Sequence, residues 1–457
     1  MIYIVSMEME LKVGKFVNWD TCGEYIIISN LLDGNVIKIK SFDNKSIQTL
    51  LETKWIKDVD DRIIQTLFDN NVLIDSDIDE DELLDQKYYE AVYDNKELNL
   101  VIYPTVACNL RCKYCWEEHR AEYMTESVKE SILKYLKREV RYYKCLYISW
   151  FGGEPLLDKK FLVDFMQRIK QICAEEKTPL ISNITTNGYN LDIDTFTSLV
   201  KSNLLYYQIT LDGTEEIHNN YRPHVDKKCN SYQTILNNLI AIKQSNLRHF
   251  QVTIRVNVSK ELLDNIEEFM SLLRENFAND KRFSIIWHPI KDWGGMDNEL
   301  KKVITEDIPD LSRTLNDMSY EYNLNPFIFK PKFNDVLCSA CKNNSYIVNV
   351  DGKLEKCVLC HDVAKDQEML QYNTNKIGYI TSDGRLIVDK KKVAKWIVRT
   401  QLNNECRECT LLPICLEAVC PNSRKFINTT KSCTVDKNYY KSMLRELLDV
   451  AKEIEIK

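Results

Sequence analysis

The chain has 457 residues, of which 44% are hydrophobic and 28% charged, with only 12 glycines and 10 prolines. That balance excludes a disordered or collagen-like chain and leaves length for two or three domains. A net charge of −7 argues against a general nucleic-acid binder.

No apolar run approaches the roughly 18 residues of a membrane helix, so no membrane partner is expected. Met1 to Glu8 lacks a basic stretch followed by an apolar core, so a cytoplasmic, reducing setting is expected. Sixteen cysteines are too few for a disulfide scaffold and too clustered for core packing: one lies in 1–107, six in 108–337 and nine in 338–433. Clustered thiols in a reducing setting read as metal ligands.

Residues 1–92 are read as one winged-helix-like module. Glu24 to Ser29 is a strand by its β-branched content, Asp33-Gly34-Asn35 a turn, and Val36 to Lys40 a returning strand. Amphipathic helices are expected near 43–53 and 59–69, then a short strand at 71–75. A DNA-binding winged helix is the alternative; against it, residues 1–95 hold 9 Lys/Arg and 20 Asp/Glu, which repels phosphate. Asp75 to Asp85 carries seven acids and no base and reads as a solvated linker.

Residues 93–300 show strand and helix patterns in alternation. Strands are expected at 98–103, 146–151, 180–185, 205–211, 252–258 and 283–287, and helices near 125–141, 159–175, 193–203, 231–245 and 261–276. Such alternation gives parallel strands with right-handed crossovers. The expected fold is α/β: a partial (β/α)6 barrel, with chemistry at the C-terminal ends of its strands. Residues 301–334 form a bridging region. Residues 335–457 form a cysteine-rich domain ending in an amphipathic helix from Tyr439 to Ile456.

Cys108-Asn109-Leu110-Arg111-Cys112-Lys113-Tyr114-Cys115 follows the first barrel strand. Three thiolates on one short loop can wrap one metal centre. Zinc would want a fourth close ligand, for which His119 is a candidate. A [4Fe–4S] cube on three cysteines instead keeps one iron open to a donor atom. The second strand ends in Trp150-Phe151-Gly152-Gly153-Glu154-Pro155, and later strands end in Thr185-Thr186-Asn187-Gly188 and Thr210-Leu211-Asp212-Gly213.

The cysteine loop, with Tyr114 before its third cysteine, and the glycine pair resemble the radical S-adenosylmethionine superfamily. The resemblance implies that Cys108, Cys112 and Cys115 hold a [4Fe–4S] cluster whose open iron binds S-adenosylmethionine. It implies that Gly152, Gly153 and Glu154 receive the amino group of that cofactor. Asn187, Thr210 and Asp212 then lie near its ribose and carboxylate, where Arg222, Arg255 and Asn257 are further partners. Reductive cleavage would give methionine and a 5′-deoxyadenosyl radical that takes a hydrogen atom from the substrate. A low-potential electron donor such as flavodoxin or ferredoxin is implied.

Cys338-x2-Cys341-x10-Gly352-x4-Cys357, then Cys406-x2-Cys409-x5-Cys415-x4-Cys420 and Cys433, closely resemble the SPASM extension of peptide-modifying members. That extension holds two auxiliary [4Fe–4S] clusters, so three clusters are implied. The spacing departs from the family's at Cys415 to Cys420, four residues instead of three. By position one cluster takes Cys338, Cys341, Cys357 and Cys420, with Cys360 a rival for the place of Cys338. The other takes Cys406, Cys409, Cys415 and Cys433. A zinc ribbon is the competing reading.

The N-terminal module is similar to precursor-recognition elements, which implies a leader peptide bound at residues 1–92 by strand addition. The acidity of the module suits a leader with Lys or Arg. The function expected is an oxygen-sensitive peptide maturase acting on a ribosomally made precursor and forming thioether or carbon–carbon cross-links. An anaerobic sulfatase maturase, making formylglycine, is the alternative, since residues 210–218 resemble that subfamily too. A non-enzymatic iron–sulfur carrier would have no use for Gly152-Gly153-Glu154. Asp212, His218 and His288 are the candidate general bases.

Overall fold

The computed structural model describes residues 10–56, 59–115, 117, 119–290, 305, 311–327, 338–358, 375–398, 404–415, 444, 447–448 and 451–456. Contacts divide the chain into two compact units. One comprises Met1–Tyr93, Ile328–Lys342 and Arg399–Lys457, the other Asp94–Phe327 and Asn343–Val398. Of the expected bridging region, residues 301–304, 306–310 and 328–334 lie outside the described residues. Among those described, no helix is long and apolar enough to cross a membrane.

The first unit follows the expected order. Strands β1 (Leu11–Val13), β2 (Val17–Cys22), β3 (Tyr25–Asn30) and β4 (Asn35–Ser41) precede helices α1 (Asn44–Thr53) and α2 (Asp61–Asp69), then β5 (Leu73–Asp75). Local hairpins join β2, β3 and β4. Their inward residues Ile26, Ile28, Ile37 and Ile39 pack on Ile47, Leu50, Ile63 and Leu67 of the two helices. Burying each such side chain contributes about 1.5–3 kcal/mol.

The acidic run is not a linker. It opens helix α3 (Glu80–Val92), whose N-cap Asp79 accepts hydrogen bonds from the backbone N–H groups of Asp81 (2.9 Å) and Glu82 (3.2 Å). Glu80, Asp81 and Glu82 fill the first turn, where the positive end of the helix dipole favours carboxylates. The buried Glu80 carboxylate also accepts from Lys15 N at 2.6 Å. The charge pattern was therefore a helix start.

In the second unit the barrel strands are β6 (Glu97–Ile102), β7 (Cys145–Trp150), β8 (Leu180–Thr186), β9 (Tyr206–Thr210), β10 (Gln251–Val258) and β11 (Phe283–Pro289). Between them run α4 (Glu126–Glu139), α5 (Lys159–Glu175), α6 (Ile193–Lys201), α7 (Glu215–Tyr221), α8 (Ser231–Gln244), α9 (Lys260–Asp264) and α10 (Ile266–Phe277); α11 (Leu311–Glu321) follows. The strands pair in parallel and in sequence order. Leu146, Ile148 and Trp150 alternate on the buried face, with Trp150 edge-on to Phe165 of α5 at 5.3 Å. On the opposite face register aligns polar residues: Ser149 with Asn183, Thr185 with Gln208, Thr210 with Arg255, and Asn257 with His288.

The sheet does not stop at β6. Among the described residues it continues through β12 (Ser345–Val348), parallel to β6, and then the antiparallel β13 (Lys353–Glu355), β14 (Lys376–Ile380) and β15 (Leu386–Val388). The apolar run Tyr346-Ile347-Val348 satisfies the open edge of β6, which would otherwise present unpaired backbone groups.

The expected C-terminal helix is corrected at its end. Leu444, Leu447 and Ala451 keep helical spacing and pack on Ile27 of the first unit. Lys452–Ile456 is a strand, β16, parallel to β4. Lys-Glu-Ile-Glu-Ile alternates with period two, which suits a sheet edge with one face on the core.

Replacing Asp79 with Ala is expected to cost about 1 kcal/mol. Amide hydrogen exchange should quicken at Asp81 and Glu82 while the β3 amides stay protected. Unchanged exchange in that turn would contradict the capping role.

Candidate active site

The C-terminal rim of β6 to β11 encloses a cavity of about 210 Å³. Cys108, Cys112 and Cys115 all line it, with Gly152, Gly153, Asn187, Thr210, Arg222, Arg255 and Asn257. Two of the cofactor-binding candidates do not: Glu154 and Asp212 lie buried behind the wall.

The cysteine loop is held from two sides. Arg111 N donates to Pro223 O (2.8 Å), Lys113 N to Tyr221 O (2.9 Å) and Val225 N to Asn109 O (2.9 Å). Residues 109–113 thus pair, strand-like, with residues 221–225. On the other side the 152–154 turn is tied to the segment leading into Cys108: Gly153 N donates to Thr105 O (3.2 Å) and Glu154 N to Ala107 O (2.8 Å). A Cβ at Gly153 would lie 2.2 Å from Ala107 O, and one at Gly152, where φ is +109°, 2.4 Å from Thr105 O. The glycine pair was expected to admit a ligand. It is already required for one backbone to approach another.

Glu154 acts inside the protein. Its carboxylate accepts from Leu156 N (2.9 Å), Thr186 Oγ1 (2.6 Å) and Asn187 N (2.7 Å). Burial raises its pKa and these hydrogen bonds oppose the rise. The arrangement fixes Asn187, whose amide nitrogen donates to Asn109 Oδ1 at 2.8 Å. The second motif therefore positions the first.

Behind Cys112 lies a polar knot. The Tyr114 hydroxyl donates to Asp212 and accepts from Arg222 Nη1 (2.6 Å) and Asn257 Nδ2 (3.0 Å). Asn257 N donates to Asp212 Oδ1 at 2.6 Å, and Arg222 lies 3.6 Å from Asp212. Both members of that ion pair are below a tenth exposed. Burial raises the Asp212 pKa against the pull of Arg222. Arg222 Nε, on the cavity wall, is buried without a hydrogen-bond partner.

The three base candidates separate. His218 is fully buried off the cavity; its Nδ1 accepts from Asp212 N, and burial depresses its pKa well below the usual range. Asp212 is engaged in the knot. His288 alone of the three lines the cavity, with its Nδ1–H directed at Pro289 O (2.8 Å). A carbonyl can only accept, so that contact sets Nε2 as the acceptor nitrogen. Gln208 and Glu117 also line the cavity and were not singled out from the sequence. Gln208 was legible by parity, lying two residues before Thr210 on β9.

Burial pushes the Cys108 thiol up to about 12, helped by the Glu154 charge, and raises Cys112 and Cys115 as well. Such thiols stay protonated until a metal displaces the proton. Among the described residues no three His, Cys, Asp or Glu side chains converge on a single-ion site, so the zinc reading with His119 finds no support. Three thiols around one wall suit a group of several atoms.

Elsewhere, Cys338 and the buried Cys341 flank a tight turn in which Cys341 N donates to Cys338 O (2.8 Å). Cys357 is pinned through its backbone to Asn375. Cys409 N donates to Cys406 O (3.2 Å), and Cys415 closes a short helix, Leu412–Cys415. Cys360, Cys420 and Cys433 lie outside the described residues.

Residues 102–273 match the family model of the radical SAM superfamily. A cysteine-type anaerobic sulfatase-maturating enzyme of Clostridium novyi (strain NT) is 24% identical over 388 residues, covering 79% of this chain and 98% of that protein. Among solved structures, native anSMEcpe with bound AdoMet and Cp18Cys peptide has a TM-score of 0.55 at 17% identity, covering 78% of this chain and 98% of that one. That likeness shows the fold. Streptococcus suis SuiB bound to precursor peptide SuiA is more distant, at TM-score 0.47 and 17% identity over 89% of this chain and 94% of that one.

Gly153→Ala should cost about 1–3 kcal/mol through overpacking against Ala107. Thermal unfolding of the metal-free protein reads the difference. Asp212→Asn leaves Arg222 buried without its counter-charge and should cost about 3–5 kcal/mol. A loss below 1 kcal/mol would show that the knot does not hold the loop.

Proposed function

We propose that this chain, whose residues 102–273 are a radical SAM domain, is an enzyme that modifies a ribosomally made precursor peptide by hydrogen-atom abstraction and leaves an intramolecular thioether or carbon–carbon cross-link. The observation that carries the reading is the convergence of Cys108, Cys112, Cys115, the glycine pair, Arg222 and His288 on one cavity. The cysteines would hold a [4Fe–4S] cluster, and with S-adenosylmethionine bound the pair would supply a 5′-deoxyadenosyl radical.

The chain's own residues then divide the remaining work. Gly152 and Gly153 present backbone at the wall. Arg222 offers an unsatisfied buried N–H, and Arg255, held by Asn257 at 3.0 Å, adds a second cation for a carboxylate-bearing ligand. Glu154 and Tyr114 orient these groups from behind. His288 can take a proton at Nε2. Cys338, Cys341, Cys357 and Cys420 are proposed for one auxiliary cluster, and Cys406, Cys409, Cys415 and Cys433 for the other.

A peptide substrate is supported by the likeness to a sulfatase-maturating enzyme and by the peptide-bound state of the solved structure. The first unit supports a precursor with a leader, because it supplies a small sheet beside a helical layer. The second reading, formylglycine formation on a sulfatase, is favoured by the name of the Clostridium novyi relative and by the resemblance of residues 210–218 to that subfamily.

Anaerobic reconstitution should give about twelve irons per chain, three clusters of four. Replacing Cys108, Cys112 and Cys115 together with Ala should remove about four of them and abolish S-adenosylmethionine cleavage. A wild-type plateau near four irons would remove the auxiliary clusters from the proposal. Mass spectrometry of a peptide encoded beside the gene should show the loss of two hydrogens. Conversion of a sulfatase-derived Cys or Ser peptide to formylglycine, with no change in that peptide, would decide for the second reading.

A further inference from the structure

The sheet of the first unit has a fourth strand that its hairpins do not explain. β2, β3 and β4 are joined locally, whereas β16 comes from residues 452–456 and lies parallel to β4. Register sets Glu453 beside Lys38, Ile454 beside Ile39 and Glu455 beside Lys40. On one face Lys38 Nζ meets Glu453 at 3.1 Å, and the Tyr25 hydroxyl donates to the same carboxylate at 3.1 Å. On the other face Ile454 and Ile456 join the core that holds Ile37 and Ile39. Phe42 N donates to Ile456 O at 3.2 Å, closing the register.

We propose that the outer edge of β4 is a binding edge for an extended peptide of alternating acidic and aliphatic residues, and that Lys452–Ile456 is its tethered occupant, displaced when the peptide binds. The inference rests on the peptide-substrate reading and names the chemistry of the segment recognised. The occupant shows what the edge accepts: backbone pairing from β4, an aliphatic side chain over Ile39, and a carboxylate on Lys38, with Glu455 in register beside Lys40, whose Nζ pairs with Glu24. Its polar face is weakly held. Five residues are involved, the Glu453 side chain is 54% exposed, and exposed ion pairs are weak. Its occupancy comes from its tether, which keeps it at high effective concentration. The net acidity of residues 1–95 suggested a basic leader; the edge itself carries lysines.

The probe is a fluorescein-labelled peptide Ala-Lys-Glu-Ile-Glu-Ile-Lys, followed by anisotropy with the anaerobically purified protein. A chain ended at Ala451 should bind it at least about tenfold more tightly than the full chain. Lys38→Glu in the shortened chain should abolish that gain. Equal affinity for the two lengths, or no binding to the shortened chain, overturns the proposal. A full-length Glu453→Lys variant guards against misfolding of the shortened chain. It should bind the peptide more tightly than the unaltered chain and exchange its 452–456 amides faster. Unchanged affinity and exchange overturn the proposal as well. Binding is read without radical chemistry, so a failure here leaves the peptide-modification reading standing, and a failed modification assay leaves this edge untouched.

Discussion

Two stretches of backbone meet at Gly153 and Ala107 with no space for a Cβ between them, and the site is built outward from that contact. The segment carrying the three cysteines has no regular structure of its own. It is positioned by the hydrogen bonds from Gly153 and Glu154 on one side and by residues 221–225 on the other. The first support follows the end of strand β7, and the second follows helix α7 where it returns to the rim after β9. The rigidity of the sheet is thus passed to a loop that must present three thiols to one cavity before anything is bound there.

Electrostatics imposes the second constraint. Asp212 and Arg222 are buried and Tyr114 is half-buried, and removing charges from water costs several kcal/mol each unless they are paired and hydrogen-bonded. Here they satisfy one another and Asn257. What is left over faces the cavity: one guanidinium N–H and the second cation of Arg255. The thiols beside them are neutral by desolvation. An anionic ligand therefore meets fixed positive charge in a poorly hydrated space, where Coulomb attraction is stronger than in water.

The barrel was legible because its signal is local and repeated. Each strand and the helix after it declare themselves by period, and rim motifs such as Thr185-Thr186-Asn187-Gly188 fall where strands must end. Partners distant in sequence were not legible. Nothing in Glu154 says that its oxygens are taken by Leu156, Thr186 and Asn187, so its bracing of a loop could not be read from the sequence. The acidic stretch before α3 misled because a run of like charge suggests solvation, while the decisive residue was the single cap Asp79. At the other end, the helical spacing of Leu444, Leu447 and Ala451 masked the two-residue alternation that begins at Lys452. Only the presence of β4 beside it selects a strand there.

The pairing of β6 with β12 bears on how the molecule is made. Strands β6 to β11 and their helices can assemble from neighbours as the chain emerges. The far side of β6 must wait until residue 348 has been synthesised. Until then a central, apolar strand has one bare side, and such sides recruit other chains. Residues 345–348 act as a late seal, so a ribosome that stalls before them releases a half-made sheet prone to aggregation. The hazard begins when β6 emerges and ends only with that seal.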